Sequence, residues 1–295
     1  MMKLHGFLFA CAALLLLTGF CGLVNAEYIS TLTGMSGLVS NWHLDETSGN
    51  AADAVPGDGL DGDNPGTYSG TGYTQGVAGP RPSDGFLGFS AGNNAVNFSG
   101  DTSTFLQMAT HSVYGGLTDA SMIMWVQYHV MPTGSSSRQC AGGLQKTAGS
   151  RYILGAGLYD PPDTGGLQTF TRRSDETGSN SAKYNPGLDT WHMVGVTFEG
   201  GKVAKCYIDG EYKETFCDYA DSVGLAAPDG LIYGRDINGS RPWKGELDEI
   251  AIFNRALSAT EIGTLWTAAQ VPEPSTVLML VLTGLGVAIF RRRSR

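Results

Sequence analysis

Charge is what this sequence has little of. Only 16% of its 295 residues are Asp, Glu, Lys or Arg, and 28 acids outnumber 19 cations, for a formal net charge of −9. A phosphate-binding surface needs clustered Lys and Arg, so nucleic acid is excluded as a partner. The one dense basic run, Arg291-Arg292-Arg293 with Arg295, closes the C-terminus and has another explanation below. Histidine is scarce as well. His5, His43, His111, His129 and His192 show no metal-ligand spacing. No G-x-S-x-G elbow is present, and Gly155-x-Gly157 lacks the third Gly and the helix of a dinucleotide fingerprint. There is no internal repeat and no long amphipathic helix.

Cysteine is sparse. Cys11 and Cys21 fall in the leader described below, which leaves Cys140, Cys206 and Cys217, an odd number for an exported chain. Cys206 and Cys217 flank a turn at Asp209-Gly210 and could pair, although that turn sets Cys206 opposite Lys213. Buried free thiols are the alternative.

What is abundant is glycine, 42 residues of it, with short apolar runs set between Gly, Asp, Asn and Ser clusters. That pattern predicts an all-β domain. Strands are expected at Leu38–Leu44, Ala95–Phe98, Thr104–Ala109, Tyr152–Leu158, Gly166–Thr171 and Leu231–Tyr233, with a hairpin from Val203–Asp209 and Glu211–Phe216. Ala120–Val130 alternates Met122, Met124, Val126, Tyr128 and Val130 with Ile123, Trp125, Gln127 and His129. Both faces are largely apolar, as in a central strand of a two-sheet sandwich. Thr190–Phe198 reads as another central strand. Asp53–Gly79, Pro132–Gln139 and Arg172–Pro186 read as polar loops, and the EF-hand spacing fails for Asp58, Asp61 and Asp63.

The most informative stretch is Lys244–Trp266. Glu246–Phe253 reads as a buried strand, followed by a brief helix whose N-cap is Ser258, with Glu261 completing a capping box and Leu257 and Ile262 a hydrophobic staple. Asp248 and Glu249 lie inside that apolar strand. An unpaired buried carboxylate is costly, so at least one must find a cation or a set of donors.

The ends carry addresses. Lys3, the apolar run Phe7–Phe20 and Val24-Asn25-Ala26 form a signal peptide over residues 1–26, with cleavage expected between Ala26 and Glu27. At the other end, Val271-Pro272-Glu273-Pro274-Ser275-Thr276 precedes an apolar run to Phe290 and then the arginines. A transmembrane segment over 276–290 with a cytoplasmic basic end is expected.

Two resemblances follow from these residues. VPEPST, the apolar run and RRR closely resemble the PEP-CTERM sorting signal. That implies recognition by an exosortase-type membrane protease of a Gram-negative, exopolysaccharide-producing bacterium, with removal of the tail near Pro272-Glu273-Pro274. The body, GLVSNWHLDETSGNAADA, NAVNFSG, ASMIMWVQY, TWHMVGVTFEGGKVAKCYIDGE and KGELDEIAIFNRALSATEI, resembles a LamG-like jelly roll of the concanavalin A-like lectin/glucanase superfamily. The resemblance implies a two-sheet antiparallel jelly-roll sandwich over 27–270, with the sorting signal at 271–295. It also implies a structural Ca²⁺ held by Glu46 and Asp248, with Asp53 as a third ligand, since calcium takes oxygen ligands.

The sequence-level expectation is therefore an inner-membrane-anchored precursor, then a cell-surface or extracellular module without catalytic residues that binds extracellular polysaccharide or a surface protein. A divergent glycoside hydrolase and a structural matrix protein without ligand are the alternatives. Glu246-x-Asp248-Glu249 superficially resembles the paired-carboxylate motif of laminarinase-type glycosidases, but same-face strand residues lie two apart, so an acid two positions beyond Asp248 is wanted to complete the set, and that position is Ile250. Trp243, in the polar loop after Asn238-Gly239-Ser240-Arg241-Pro242, is the candidate ring for stacking on a sugar.

Overall fold

The computed structural model describes residues 27–55, 64–133, 138–147, 151–159 and 165–271. Ala26, Pro272, Glu273, Pro274, the 276–290 segment and Asp58, Asp61 and Asp63 lie outside them. Among the described residues no helix is long and apolar enough to cross a membrane.

Alternation in the sequence becomes two packed antiparallel sheets. One contains β1 (Leu38–Trp42), β3 (Tyr73–Ala78), β4 (Asn94–Ser99), β6 (Ala120–Tyr128), β11 (His192–Glu199), β12 (Val203–Ile208), β13 (Glu211–Asp218) and β15 (Lys244–Phe253). Its order is β13-β12-β11-β6-β15-β4-β3, with β1 also paired to β15. The other contains β2 (Thr67–Ser69), β5 (Phe105–Met108), β7 (Gln139–Lys146), β8 (Arg151–Tyr159), β9 (Gly166–Arg172), β10 (Gly178–Asn180) and β14 (Gly230–Tyr233). Its order is β10-β9-β8-β7-β14-β5-β2.

The two faces of β6 divide as the alternation requires. Met122, Met124, Val126 and Tyr128 enter the core between the sheets, with Leu144, Leu154, Leu158, Val196 and Ile252 opposite or beside them. Ile123 and Trp125 point outward into a second apolar layer. That layer is closed by two helices, α1 (Glu27–Thr33) and α2 (Ala259–Gln270). Tyr28 and Leu32 of α1 and Ile262, Leu265 and Ala269 of α2 pack there with Met193, Tyr207 and Phe253. The loop at Gly88 laces the helices together, since Tyr28 N–H donates to the Gly88 carbonyl and Gly88 N–H to that of Ala269. The capping box forms as expected: Ser258 Oγ accepts from Glu261 N–H, and the Glu261 carboxylate accepts from Ser258 N–H.

Several expectations need correction. Asp53–Gly79 is not one surface loop, because Thr67–Ser69 and Tyr73–Ala78 join opposite sheets. Residues 139–146 form a strand in the middle of the second sheet, and residues 178–180 edge it. The N-terminal helix α1 had no sequence signal. Of the two readings open for the cysteines, the free thiols hold for Cys140, Cys206 and Cys217. A register shift beside Tyr207 sets Cys206 opposite Glu214, and Cys217 opposite Ala204.

Candidate functional site

The strand that carries the two acids changes neighbour midway. Lys244–Leu247 pairs with β4, whereas Ile250–Phe253 pairs with β1. At the junction β15 bulges against β6, between Asp248 and Ala251, and Glu249 takes a left-handed backbone, φ 47°. Bulges re-aim side chains in this way. Both carboxylates are fully buried, and each draws on the strand end beside it. His43, just past β1, sets Nδ1 2.9 Å from Glu249 Oε2. Asn93, just before β4, donates Nδ2 to Asp248 Oδ2 at 2.8 Å, and Glu249 N–H donates to Asp248 Oδ1.

The electrostatics follow from burial. Burial pushes the Glu249 carboxyl up, and the His43 imidazole opposes that without cancelling it. Asp248 is raised well above the ordinary carboxylate range, by burial first and then by the Glu249 charge. Burial works to depress His43, but the Glu249 carboxylate outweighs it and the imidazole is raised. The junction is thus a proton-retaining knot inside the fold.

The three expected calcium ligands are not gathered into one cage. Asp53 Oδ1 accepts the N–H groups of Asn41 and Val55, which ties the chain after β1 back onto that strand. Glu46 Oε1 accepts Ala52 N–H at 2.7 Å, and Asp248 is engaged as above. Among the described residues no set of three or more His, Cys, Asp or Glu side chains is placed to hold a metal ion. Hard divalent cations need several oxygens converging on one point; here Asp53 and Glu46 accept backbone N–H groups, and Asp248 accepts from Asn93 Nδ2 and Glu249 N–H.

Trp243 is also corrected. It is fully buried in the core between the sheets, edge-on to Tyr128 at 6.2 Å. The polar loop before it suggested exposure. However, Trp243 N–H bonds the Gly234 carbonyl, so the loop closes at its foot and the ring turns inward. Glu246, the first acid of the strand, is held by His129 Nε2 at 2.8 Å and by Asn97 Nδ2 at 2.7 Å.

A pocket lies instead on the outer face of the second sheet. Leu154, Ala156, Leu158 and Leu167 point into the core, so alternation turns Gly155, Gly157, Tyr159, Phe170 and Arg172 outward. Tyr152 joins them beside a register shift, its ring 4.3 Å from that of Phe170. Gly155 lets β8 approach β7 and the Phe170 ring closely: a Cβ there would meet the Gly142 carbonyl at 2.3 Å and the Phe170 ring at 2.6 Å. The cavity of about 190 Å³ is lined by Arg138, Tyr152, Tyr159, Thr171, Arg172, Asn180 and Arg241.

Arg241 belongs to the loop leading into β15, and its carbonyl accepts Cys140 N–H from β7. Its Nη1 donates to Tyr152 Oη at 2.6 Å. Its φ of 55° is a left-handed conformation that costs an L-residue about 1–2 kcal/mol. The guanidinium lies 5.4 Å from the Tyr152 ring centre, and that of Arg138 lies 5.2 Å from Tyr159. Burial pushes the Tyr159 phenol up to about 12, and that of Tyr152 higher still, against the pull of Arg241. Both hydroxyls therefore stay protonated as donors. Sequence reasoning missed this group because it is assembled from four separate segments. The available signal was Gly155-x-Gly157-x-Tyr159, a strand face of two glycines ending in an aromatic.

Comparisons with known proteins agree with this architecture. A family model described as concanavalin A-like lectin/glucanases superfamily matches residues 98–263, more than half of the chain. The PEP-CTERM protein-sorting motif matches residues 270–293. No curated protein matches the sequence significantly. Among solved structures, domain 4 of an extracellular arabinanase from Geobacillus stearothermophilus, in complex with arabinotriose, is similar at 16% identity and TM-score 0.51. That match covers 77% of this chain and 97% of the arabinanase domain. The receptor binding domain of a botulinum neurotoxin C/D mosaic serotype is similar at 14% identity and TM-score 0.54, covering 78% of this chain and 51% of that one. The binding domain of botulinum neurotoxin DC in complex with SialylT gives 12% and 0.53, with coverage of 79% and 51%. The chain thus spans about half the length of the toxin domains, and at these identities the likeness is one of fold.

Proposed function

The chain belongs to the concanavalin A-like lectin/glucanases superfamily, and from that premise we propose that it is a non-catalytic glycan-binding module, sorted by its C-terminal motif to the cell surface or the extracellular polysaccharide. Ligand is taken in the pocket on the outer face of the seven-stranded sheet. One observation carries this reading: Tyr152, Tyr159, Asn180 and three arginines line a single recess. Aromatic faces with a few placed polar groups are what a small-ligand site requires. The arabinanase domain, solved with arabinotriose, and the botulinum neurotoxin DC binding domain, solved with SialylT, lend the fold-level analogy.

The geometry weighs against hydrolysis. Paired glycosidase carboxylates must face the scissile bond, whereas Asp248 and Glu249 are sealed in the interior and Glu246 is tied to His129 and Asn97. The exosortase-type protease is the processing partner that the sorting motif implies. A glycan array with the full chain, alongside a hydrolysis assay, tests the reading. Binding without turnover, weakened by Tyr159→Ala, is the expected outcome. Turnover of any polysaccharide, or binding untouched by pocket substitutions, would overturn it.

A further inference from the structure

We propose that the eight-stranded sheet carries a second carbohydrate contact, for a neutral sugar unit, in the groove between Tyr212 and the start of α2. This rests on the glycan-binding reading above and adds a site on the opposite side of the sandwich.

Strand pairing puts an aromatic platform at the sheet edge. Tyr207 on β12 and Tyr212 on β13 are cross-strand partners, so both rings leave the same face, 5.8 Å apart and edge-on. Tyr207 is drawn into the outer apolar layer under the helices and is 2% exposed. Tyr212 lies beyond that layer. It belongs to neither of the two large apolar clusters and is 51% exposed. Among the described residues it is the most exposed large apolar side chain, and the one aromatic in that group. The ring is nevertheless held, against Tyr207 on one side and through its hydroxyl to Thr215 Oγ1 at 3.0 Å.

The surroundings of the ring are polar and accessible. Lys205 of β12 and Glu199, at the end of β11, form an ion pair at 2.8 Å whose side chains remain 31% and 54% exposed. The far wall is Ala256–Ala259, leading into the first turn of α2, where Arg255 neutralises Glu261 at 2.6 Å. The groove between these walls measures about 370 Å³, within the range of about 300–1,000 Å³ for small-ligand sites.

This chemistry selects the ligand. Each lining charge already has its counter-charge, so an ionic ligand would find nothing to neutralise. A polyol finds an acceptor carboxylate and a donor ammonium side by side, next to a flat apolar face for the C–H side of its ring. A protein partner would want a wider apolar centre than one ring beside two ion pairs. The groove lies at the first turn of α2 and the sorting motif follows its last residue. Its 12 residues put about 18 Å between the groove and the point of attachment. With the arginine–tyrosine pocket on the other outer face, one molecule can join separate glycan chains.

The test titrates the full chain in detergent with arabinotriose, mannotriose and cellotriose by calorimetry. At least one trisaccharide should fill both sites. Tyr212→Ala should weaken or erase one of them, by about three- to tenfold, while Tyr212→Phe keeps it because the ring face is retained. Lys205→Gln should weaken the same site, and a melting curve confirms that each variant folds. If Tyr212→Ala leaves both sites intact, this contact falls while the Tyr159 pocket stands. If Tyr159→Ala is silent and Tyr212→Ala abolishes binding, the pocket falls and this contact stands. If no trisaccharide binds, both fall. A Tyr212-dependent dimer in light scattering without sugar would assign the groove to a second copy and overturn the proposal.

Discussion

Removing His43 leaves a carboxylate in the interior with no cation. The Glu249 side chain is 1% exposed and that of His43 25%. Breaking a fully buried pair costs about 3–5 kcal/mol, and partial solvent access on the histidine side places His43→Ala nearer 2–3 kcal/mol. At about 2–4 °C per kcal/mol for a domain of this size, the melting temperature should fall by about 4–12 °C. Glu249→Gln removes the charge and keeps the shape, so it should cost less than 1 kcal/mol and rescue much of the loss in the double variant. The pH dependence has a definite sign. Glu249, Asp248 and His43 are all raised in the folded protein. Each therefore adds stability below its unfolded value and loses it as pH climbs through the folded one. Wild type should be more stable at pH 6 than at pH 8, and Glu249→Gln should flatten the slope. Urea unfolding at both pH values measures all four proteins. Equal losses for His43→Ala and Glu249→Gln, or a wild type that gains stability from pH 6 to 8, would refute the reasoning.

Other consequences are quick to check. Because the expected calcium ligands are spent on separate donors, a chelator should leave the melting temperature unchanged; a drop that Asp248→Asn abolishes would restore the calcium site. Trp243→Ala should cost about 3–5 kcal/mol through the core, and a stable variant with selectively lost glycan binding would contradict its burial. Ser258→Ala should cost about 1 kcal/mol in denaturant unfolding. Glu261 is held down at about 2, first by its hydrogen bond to Arg255, so its contribution is present above pH 4.5 and lost as pH falls towards 2. Glu261→Gln should therefore reduce acid sensitivity in that window.

Local rules made much of the fold legible. The strict alternation of Ala120–Val130 put Met124 and Trp125 on opposite faces, and Ser258 with Glu261 announced the start of α2. Asp209-Gly210 marked the hairpin, although the shift beside Tyr207 moved Cys206 by one partner. The charge pair in β15 was recognisable as a problem needing donors, but the identity of those donors was not. His43 and Asn93 lie over 150 residues away in sequence and meet β15 only because β1 and β4 abut along it. Strand β7 escaped notice because Gly142 and Gly143 hide its pattern. They lie there because the chains approach closely: a Cβ on Gly143 would meet the Leu154 carbonyl at 2.1 Å. Trp243 and the arginine pocket were hidden for the same reason, since loop paths decide which side chains converge.

The helix layer fixes a direction of display. Glu27 and Val271 line one groove between α1 and α2, so the first and last described residues lie side by side. Both helices cover the outer face of the eight-stranded sheet, and the arginine–tyrosine pocket opens on the outer face of the other. A body held by its C-terminal junction therefore turns its helices towards the point of attachment and its pocket towards whatever lies beyond. A label or fusion at Val271 would sit on the helix side of the sandwich, across both sheets from the arginine–tyrosine pocket.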